Sequence, residues 1–335
     1  MAETVLVTGG TGFIAGWCIV QLLERGYAVR TTVRDASKEQ RVRAAVAGAK
    51  SATDRLSFAL ADLNSDEGWD AAVAGCQYVL HVASPLGGGA TTDRNALIAP
   101  ARDGTLRVLR AAAKAGVKRV VMTSAAAAAR PPLTTDQTSD ETVWSDPDDP
   151  QFDAYRVSKI LAERAAWDFM NREGGATQFT TILPGAVFGP ILTAENLGSV
   201  QIIQGMLNGK PPALPRLGFW IVDVRDLADL HIRAMTAASA AGQRFIAAGE
   251  YMWMEDIART LRTELGEAAA KAPTRRLPNF VVRMLLPFAA NLRTLAPLLG
   301  RRFPLTSAKA RQTLGFAPRP AAMTVVDCAR SLLAV

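Results

Sequence analysis

The beginning of the chain constrains its fold more than any other part of the sequence. Residues 4–8 (TVLVT) form a short apolar, β-branched run that is typical of a buried strand. Gly9, Gly12 and Ala15 follow at three-residue spacing, and the apolar spacing over residues 17–25 predicts a helix. In such a unit Gly9 allows the tight turn, Gly12 lets the backbone approach a pyrophosphate, and Ala15 lets helix and strand pack closely. The free N–H groups at the helix N-terminus would then bind the pyrophosphate.

The second predicted strand, residues 27–33, indicates which dinucleotide binds. It ends at Arg34 and Asp35, and Lys38 and Arg41 follow closely. Dinucleotide sites place a carboxylate here for the ribose 2′-hydroxyl of NAD, or an arginine for the 2′-phosphate of NADP. Several cations around one dianion suit phosphate binding, which favours NADP. Asp35 keeps NAD as the alternative.

Strand-like and helix-like segments alternate through the first half of the chain. Apolar runs at 56–61, 78–83, 117–122 and 180–183 each end in polar or turn-forming residues, and the stretch 103–115 predicts a helix. The alternation predicts an α/β fold of Rossmann type, with a doubly wound parallel sheet. Ligands bind beyond the carboxyl ends of such strands. The residues predicted to meet there are Gly9, Arg34, Asp62, Ser84, Thr123 and Pro184.

Tyr155 is the only one of four tyrosines that is followed four residues later by a lysine, Lys159. On a helix, residues at this spacing share a face, so the phenol and the ammonium can enter one site. The pKa of a free phenol is roughly 10. A nearby cation favours the phenolate and is expected to lower the Tyr155 pKa, which predicts a proton donor and acceptor.

The ordered set of motifs resembles that of the extended short-chain dehydrogenase/reductases. The resemblance is to the branch of dihydroflavonol, cinnamoyl-CoA and aldehyde/ketone reductases, within the NAD-dependent epimerase/dehydratase superfamily. It extends over nearly the whole chain. The matching segments are 7–14 (VTGGTGFI), 32–35 (TVRD), 61–63 (ADL), 81–85 (HVASP), 155–159 (YRVSK), 184–190 (PGAVFGP), 222–228 (VDVRDLA) and 309–316 (KARQTLGF).

The resemblance implies hydride transfer from NADPH to a carbonyl, with Tyr155 as the proton donor and Lys159 as its partner. It places Arg34 and Arg41 on the 2′-phosphate, and Lys159 also on the nicotinamide ribose. The other residues that it places on the cofactor are Gly9, Thr11, Gly12, Phe13 and Ile14 in the glycine turn, Asp62 and Leu63 at the adenine, Val82, Ala83, Ser84, Thr123 and Tyr155 towards the nicotinamide, and Pro184 and Val187 at the carboxamide.

The chain departs from the family pattern after the fifth strand. The family has Thr-Ser-Ser, whose second serine polarises the carbonyl, whereas this chain has Thr123, Ser124 and Ala125. Alternation along a strand would put Thr123 and Ala125 on one face and Ser124 on the other. Three alternatives remain: Ser124 replaces the serine, Thr123 replaces it, or Tyr155 and Lys159 work without a third donor.

A second departure concerns the substrate. Ungapped counting places Arg130 where flavonoid reductases have an asparagine or aspartate against the flavonoid ring. This favours an apolar or aromatic aldehyde or ketone over a flavonoid. The apolar residues of the C-terminal half that could line the pocket, or simply form core, are Met206, Leu207, Phe219, Trp220, Phe280, Met284, Leu285 and Phe288.

The prediction is therefore an NADPH-dependent carbonyl reductase. One alternative is a sugar-nucleotide epimerase or dehydratase with tightly bound NAD, which would share the nucleotide and tyrosine motifs. Another is a non-catalytic protein that senses the nucleotide. We expect residues 1–186 to form the nucleotide-binding domain, with 222–248 returning to it. Residues 187–221 and 249–335 would form a smaller, mainly helical substrate domain.

Composition agrees with a globular enzyme and limits its partners. The apolar fraction of 49% and the charged fraction of 21% are typical of a soluble protein, and we expect a cytoplasmic monomer or homodimer. No export leader is evident. Three distant cysteines and two histidines predict neither a disulfide framework nor a metal site. The net charge of +7 comes without a nucleic-acid motif. Arginines and prolines interrupt the apolar stretch 277–300, which predicts packed helices rather than a membrane span.

Overall fold

A sheet of seven parallel strands forms the centre of the computed structural model, which describes residues 2–85, 95–195, 197–285 and 296–334. All neighbouring strands pair in parallel. From one edge to the other the strands are β3 (Leu56–Leu60), β2 (Ala28–Val33), β1 (Thr4–Val7), β4 (Tyr78–His81), β5 (Arg119–Thr123), β6 (Gln178–Pro184) and β10 (Gln243–Ala247).

Helices cover both faces of this sheet. Successive side chains along each strand point to opposite faces, so both faces carry apolar side chains that pack against helices. On one face lie α1 (Phe13–Glu24) and α7 (Val224–Thr236), and on the other lie α4 (Asn95–Lys114) and α5 (Ala154–Glu173). Along β1, Val5 and Val7 join the core with α1 and α7, whereas Leu6 joins the core with α4 and α5. The short helices α2 (Glu39–Gly48) and α3 (Trp69–Val73) complete the layers. The predicted doubly wound α/β fold is confirmed.

A smaller lobe is built from the C-terminal part of the chain. It contains a three-stranded sheet of β7 (Ala186–Phe188), β9 (Gly218–Asp223) and β11 (Tyr251–Trp253), and a parallel pair of β8 (Leu214–Pro215) and β12 (Arg276–Leu277). Its helices are α6 (Val200–Leu207), α8 (Met254–Leu265), α9 (Asn279–Leu285) and α11 (Ala321–Leu333). Residues such as Ile203, Met206 and Ile257 form its own core.

The chain crosses between the two lobes directly at the end of β6. Gly185 links β6 to β7, and a Cβ atom at this position would lie 2.3 Å from the carbonyl oxygen of Trp220. A larger residue is therefore excluded, and the two lobes meet closely at the carboxyl edge of the main sheet.

Some residues depart from the predicted division of the chain. Helix α10 (Ala308–Leu314) belongs to the predicted substrate domain, but its Ala310 and Leu314 are buried in the core shared with α1 and α7. The domain boundaries stay a prediction. In the stretch 277–300 the structure describes α9 and a short 3-10 helix at Ala296–Leu298, and residues 286–295 lie outside the described part. Among the described residues, no helix combines the length and apolarity that crossing a membrane requires.

Candidate active site

The glycine turn between β1 and α1 has the backbone geometry that its sequence predicts. Gly9 has a φ of +75°, and a Cβ atom there would lie 3.0 Å from the Cβ of Ala83. The amide of Gly12 donates to the Gly9 carbonyl at 2.8 Å, and Gly12 directly precedes α1. Because Gly12 has no side chain to cap the helix, the first amides of α1 stay open to an anion. The turn can therefore hold a pyrophosphate.

Three buried side chains fix the neighbouring strand end. The Thr8 hydroxyl accepts from the amides of Val82 and Ala83, both at 3.0 Å, and lies 3.0 Å from Nδ1 of His81. Since the Thr105 hydroxyl donates to a backbone carbonyl, Nε2 of His81 is the donor to Thr105, at 3.1 Å. Nδ1 then accepts from Thr8. Burial lowers the pKa of His81 to about 3, with a smaller effect from nearby Lys159. His81 is a neutral structural residue.

The basic residues after β2 differ in whether their side chains already form ion pairs. Arg34 and Lys38 are exposed, and neither side chain has a hydrogen-bond or ion-pair partner among the described residues. Asp35 instead accepts from the Ser37 amide at 2.8 Å, which lowers its pKa. Arg41 forms an ion pair with Glu195. Of the two arginines predicted at the 2′-phosphate, only Arg34 has a free guanidinium.

The remaining predicted cofactor residues lie around the same edge of the sheet. Thr11, Gly12 and Phe13 line a cavity between the glycine turn, α2 and residues 192–195, and Ile14 packs against the core in the first turn of α1. Asp62 accepts from the amide of Asn64 at 2.9 Å, and Leu63 fills the space that Gly104 leaves in α4. Ser84 follows Ala83 and is partly exposed. Pro184 ends β6, and Val187 in β7 accepts from Ser199 at 2.6 Å.

Tyr155 and Lys159 lie in the first two turns of α5. Asp153 caps this helix by accepting from the Arg156 amide at 2.8 Å. Tyr155 keeps 38% of its surface exposed, and its hydroxyl has no partner among the described residues. Lys159 is buried, and its Nζ donates to the carbonyl of Thr123 at 3.2 Å. The pair therefore joins a partly exposed tyrosine, whose hydroxyl has no partner among the described residues, to a buried ammonium that is anchored on β5.

The pKa values of this pair differ from the sequence-based expectation. Burial of the phenol raises the pKa of Tyr155, Asp153 raises it further, and Arg156 lowers it. The expected lowering by Lys159 is not found, because the Lys159 ammonium is directed at the strand. Burial lowers the pKa of Lys159 to about 8, and Glu163 one turn later opposes that shift.

Ser124 is tied to a buried carboxylate that sequence reasoning missed. Its hydroxyl donates to Glu163 at 2.6 Å, and the same carboxylate accepts from Thr181 at 2.7 Å and from Arg244 Nε at 2.9 Å. Arg244 also donates to three backbone carbonyls in the loop 128–143. The one signal in the sequence was that Glu163 follows Lys159 at the same four-residue spacing. This network holds Ser124 and the loop after β5 against α5.

Thr123 faces the other side of the sheet. Nδ1 of His231 lies 2.8 Å from the Leu227 carbonyl and must donate to it, so Nε2 accepts from the Thr123 hydroxyl at 2.7 Å. Burial lowers the pKa of His231 to about 4. The Thr123 hydroxyl is thus bonded to α7, on the face opposite to α5.

Arg130 is held inside the loop that precedes α5. Its guanidinium stacks on Phe152 with its carbon 3.9 Å from the ring centroid, and its amide donates to Ser145 at 2.7 Å. Burial lowers the Arg130 pKa to about 10. The side chain therefore supports the loop that leads into the tyrosine helix.

The residues predicted to line an apolar pocket differ in their exposure. Met206 and Leu207 are buried in the core of the small lobe, whereas Phe280 and Met284 are exposed on α9. Phe219 and Trp220 are partly buried on β9. The side chains of Leu285 and Phe288 lie outside the described part.

Comparisons with known proteins agree with this geometry. Residues 5–248 match the model of the NAD dependent epimerase/dehydratase family. A cinnamoyl-CoA reductase of Medicago truncatula is 39% identical over 254 residues, which cover 72% of this chain and 75% of that protein. A dihydroflavonol 4-reductase of Dianthus caryophyllus is 35% identical over 272 residues, covering 79% and 74%.

Solved structures extend the similarity to the whole chain. The yeast methylglyoxal/isovaleraldehyde reductase, complexed with NADPH, superposes with a TM-score of 0.82 at 26% identity and covers 99% of this chain and 98% of that one. Vestitone reductase from alfalfa gives a TM-score of 0.75 at 26% identity, covering 98% and 97%. The predicted resemblance is confirmed, and the chain belongs to the NAD-dependent epimerase/dehydratase family, among the extended short-chain dehydrogenase/reductases.

Proposed function

We propose that this protein is an NADPH-dependent reductase that converts an aldehyde or ketone to an alcohol. The observation that carries the proposal is the Tyr155 hydroxyl, which has no partner among the described residues, on the helix whose Lys159 one turn later binds the end of β5. Carbonyl reduction needs a proton donor beside the forming alkoxide. With its raised pKa, the Tyr155 phenol is protonated at neutral pH, so the proton that the alkoxide needs is present.

The residues at the strand ends fit NADPH. The glycine turn and the first amides of α1 would hold the pyrophosphate, and the free cations Arg34 and Lys38 would bind the 2′-phosphate. Asp35 favours this choice over NAD, since its carboxylate already accepts from Ser37. When bound, NADPH supplies the hydride. The yeast reductase that was solved with NADPH supports the same choice.

Tyr155 would act without a hydroxyl from the end of β5. The Thr123 hydroxyl donates to His231, and the Ser124 hydroxyl donates to Glu163, so both are used inside the protein. Among the three alternatives at this position, we therefore propose the one in which Tyr155 and Lys159 suffice. Tyr155 protonates the substrate oxygen, and the Lys159 ammonium, which is bonded to the Thr123 carbonyl in this structure, would turn towards the phenolate that remains and stabilise it.

A panel of carbonyl compounds tests the proposal. The purified protein is incubated with benzaldehyde, cinnamaldehyde, methylglyoxal or butanone, and consumption of NADPH is compared with that of NADH. We expect turnover of at least one compound and a preference for NADPH of at least about tenfold, as a charge-assisted phosphate contact would give.

Other outcomes would support the two alternatives. NAD that copurifies with the protein, together with turnover of a sugar nucleotide, would indicate an epimerase or dehydratase. Nucleotide binding without any turnover would indicate a sensing protein. The apolar or aromatic nature of the substrate, the cytoplasmic location and the monomeric or dimeric state stay predictions.

A further inference from the structure

The net positive charge of the chain comes from one stretch that contains no acidic residues. Lysines and arginines occur throughout, but residues 268–326 contain no aspartate or glutamate. Ten of the 38 lysines and arginines lie in this stretch, which leaves 28 against the 31 acidic residues of the chain. The entire net positive charge therefore arises in residues 268–326, which follow α8 in the chain. Such a local excess of cations attracts anions.

Within this lobe, β9 and β11 present a continuous row of aromatic rings. Trp220 and Tyr251 are paired across the two strands with ring centroids 5.5 Å apart, and Trp253 follows Tyr251 at 5.1 Å. All three residues are partly exposed. We call these three residues the aromatic wall.

Segment 300–303 crosses the aromatic wall and is fixed to it through its backbone. Three hydrogen bonds hold it: Gly300 N to the Arg216 carbonyl at 2.7 Å, Tyr251 OH to the Arg301 carbonyl at 3.3 Å, and Trp220 Nε1 to the Phe303 carbonyl at 2.9 Å. Because these bonds use backbone atoms of the segment, its arginine side chains remain available.

Two arginines lie over the aromatic wall. The guanidinium carbon of Arg302 is 5.1 Å from the ring centroids of both Trp220 and Tyr251, and that of Arg216 is 5.2 Å from Trp253. In the part of the chain that the structure describes, neither guanidinium has a carboxylate within 4.0 Å. A guanidinium stacked on a ring keeps its N–H edge free to bind an anion.

The aromatic wall adjoins the candidate active site. The backbone of Trp220 lies against Gly185, at the end of β6, and its side chain packs with the cluster that includes Val157 of α5. Beyond segment 300–303, the Pro304 carbonyl accepts from the Ser139 amide at 2.9 Å, in the loop that leads to the tyrosine helix. The wall therefore lies beside the end of β6 and is connected to the loop that leads into α5.

This inference rests on the proposed reductase function. We propose that the substrate carries an anionic group, either a carboxylate or a phosphate, and that this group binds to Arg302 and Arg216. The apolar part of the substrate lies on the aromatic wall. The aldehyde or ketone then extends towards Tyr155. The arginines contribute to substrate selection and leave the proton transfer to Tyr155 and Lys159.

Matched aldehydes test this inference on the full-length protein at saturating NADPH. The probes are 4-formylbenzoate, 4-formylphenyl phosphate and the neutral methyl 4-formylbenzoate. We expect kcat/KM for at least one anionic aldehyde to exceed that for the ester by about tenfold or more, mainly through KM. The better anionic probe identifies the group, carboxylate or phosphate. Equal kcat/KM values for all three aldehydes would overturn the inference.

Arg302→Gln is the test variant, with Arg330→Gln on α11 as an exposed control outside the wall. In Arg302→Gln the anionic-to-ester ratio of kcat/KM should fall about tenfold, whereas in Arg330→Gln it should remain that of the wild type. A ratio that Arg302→Gln leaves unchanged, with both rates reduced alike, would assign Arg302 a structural role only.

A salt series on the wild type provides a second measurement that does not depend on the variant folding. Raising the NaCl concentration should lower the anionic-to-ester ratio of kcat/KM, because salt screens the exposed contact between the anionic group and the arginines. A constant ratio would count against the inference. If the proposed reductase function itself were wrong, even the neutral ester would not be reduced, so this failure can be told apart from failure of the anion site. Reduction of the ester without any anionic preference removes only the anion site.

Discussion

The strand ends of the main sheet and the aromatic wall of the small lobe use their polar groups in opposite ways. At the strand ends, buried side chains are bonded to one another: Thr8 to His81, Thr123 to His231, and Ser124 to Glu163. Over the aromatic wall, the guanidinium groups of Arg302 and Arg216 lie on aromatic rings, and neither has a carboxylate partner among the described residues. Internal bonds fix geometry, whereas unpaired groups are available to a ligand.

Among the hydroxyl groups of Thr123, Ser124 and Tyr155, that of Tyr155 is the exception. Its hydroxyl has no partner among the described residues, while the hydroxyls of Thr123 and Ser124 nearby are both bonded. The comparison therefore separates groups that support the site from groups that would act in it. Substitutions can test this separation one group at a time.

Tyr155→Phe should give the largest effect. Removing the Tyr155 hydroxyl removes the proton donor and should lower kcat by about 10²–10⁴-fold, the range for general acid catalysis. The affinity for NADPH should stay nearly unchanged, because the glycine turn and Arg34 are intact. NADPH oxidation measures the first quantity, and a fluorescence titration of NADPH measures the second. Tyr78→Phe at the start of β4 is the matched control and should retain activity; full activity in Tyr155→Phe would end the assignment.

Arg34→Gln should give the next largest effect and should act on the cofactor alone. A free guanidinium facing a dianion contributes charge-assisted bonds, so the KM for NADPH should rise about 10- to 100-fold while that for NADH changes little. Arg41→Gln should have a smaller effect because Arg41 already pairs with Glu195. Steady-state kinetics with both cofactors make the comparison. A larger effect at Arg41 would show that its ion pair opens when NADPH binds.

Some parts of the site can be predicted from the sequence, and others depend on contacts between distant residues. The glycine turn was predictable because it works through backbone geometry, which Gly9 and Gly12 reveal by lacking side chains. The Tyr155–Lys159 pair was predictable from helical spacing. Glu163 was not, because its partners Ser124, Thr181 and Arg244 come from distant parts of the chain. The pKa of Tyr155 was predicted in the wrong direction, since spacing does not show which way the Lys159 ammonium is directed.

The pH dependence of reduction tests whether Glu163 supports Lys159. The pKa of Lys159 is lowered to about 8, so its ammonium is present below that pH and lost above it. At saturating NADPH, kcat/KM should therefore fall as pH rises through about 8, and the fall should approach tenfold per pH unit. Glu163→Gln removes the carboxylate that favours the ammonium, so the fall should move to lower pH.

Thr181→Val is the matched control for Glu163→Gln. It removes one hydrogen bond to the same carboxylate but keeps the negative charge. A structural role alone would change stability in both variants and leave the pH profile in place. A shift in Glu163→Gln without a shift in Thr181→Val is the expected result, and equal profiles would contradict the electrostatic role.

Ser124→Ala should give the smallest effect on catalysis and a measurable effect on stability. The substitution removes one buried donor to Glu163, and Thr181 and Arg244 still satisfy the carboxylate. Losing such a bond costs about 1–3 kcal/mol of unfolding free energy, which urea denaturation would detect. The rate should change by less than about threefold, since a group bonded inside the protein adds no bond in the transition state. A fall of about 10²–10³-fold, the cost of losing a donor to a forming oxyanion, would instead mean that Ser124 leaves Glu163 and polarises the substrate. In that case the internal bonds at the strand ends would be a resting arrangement rather than a fixed support.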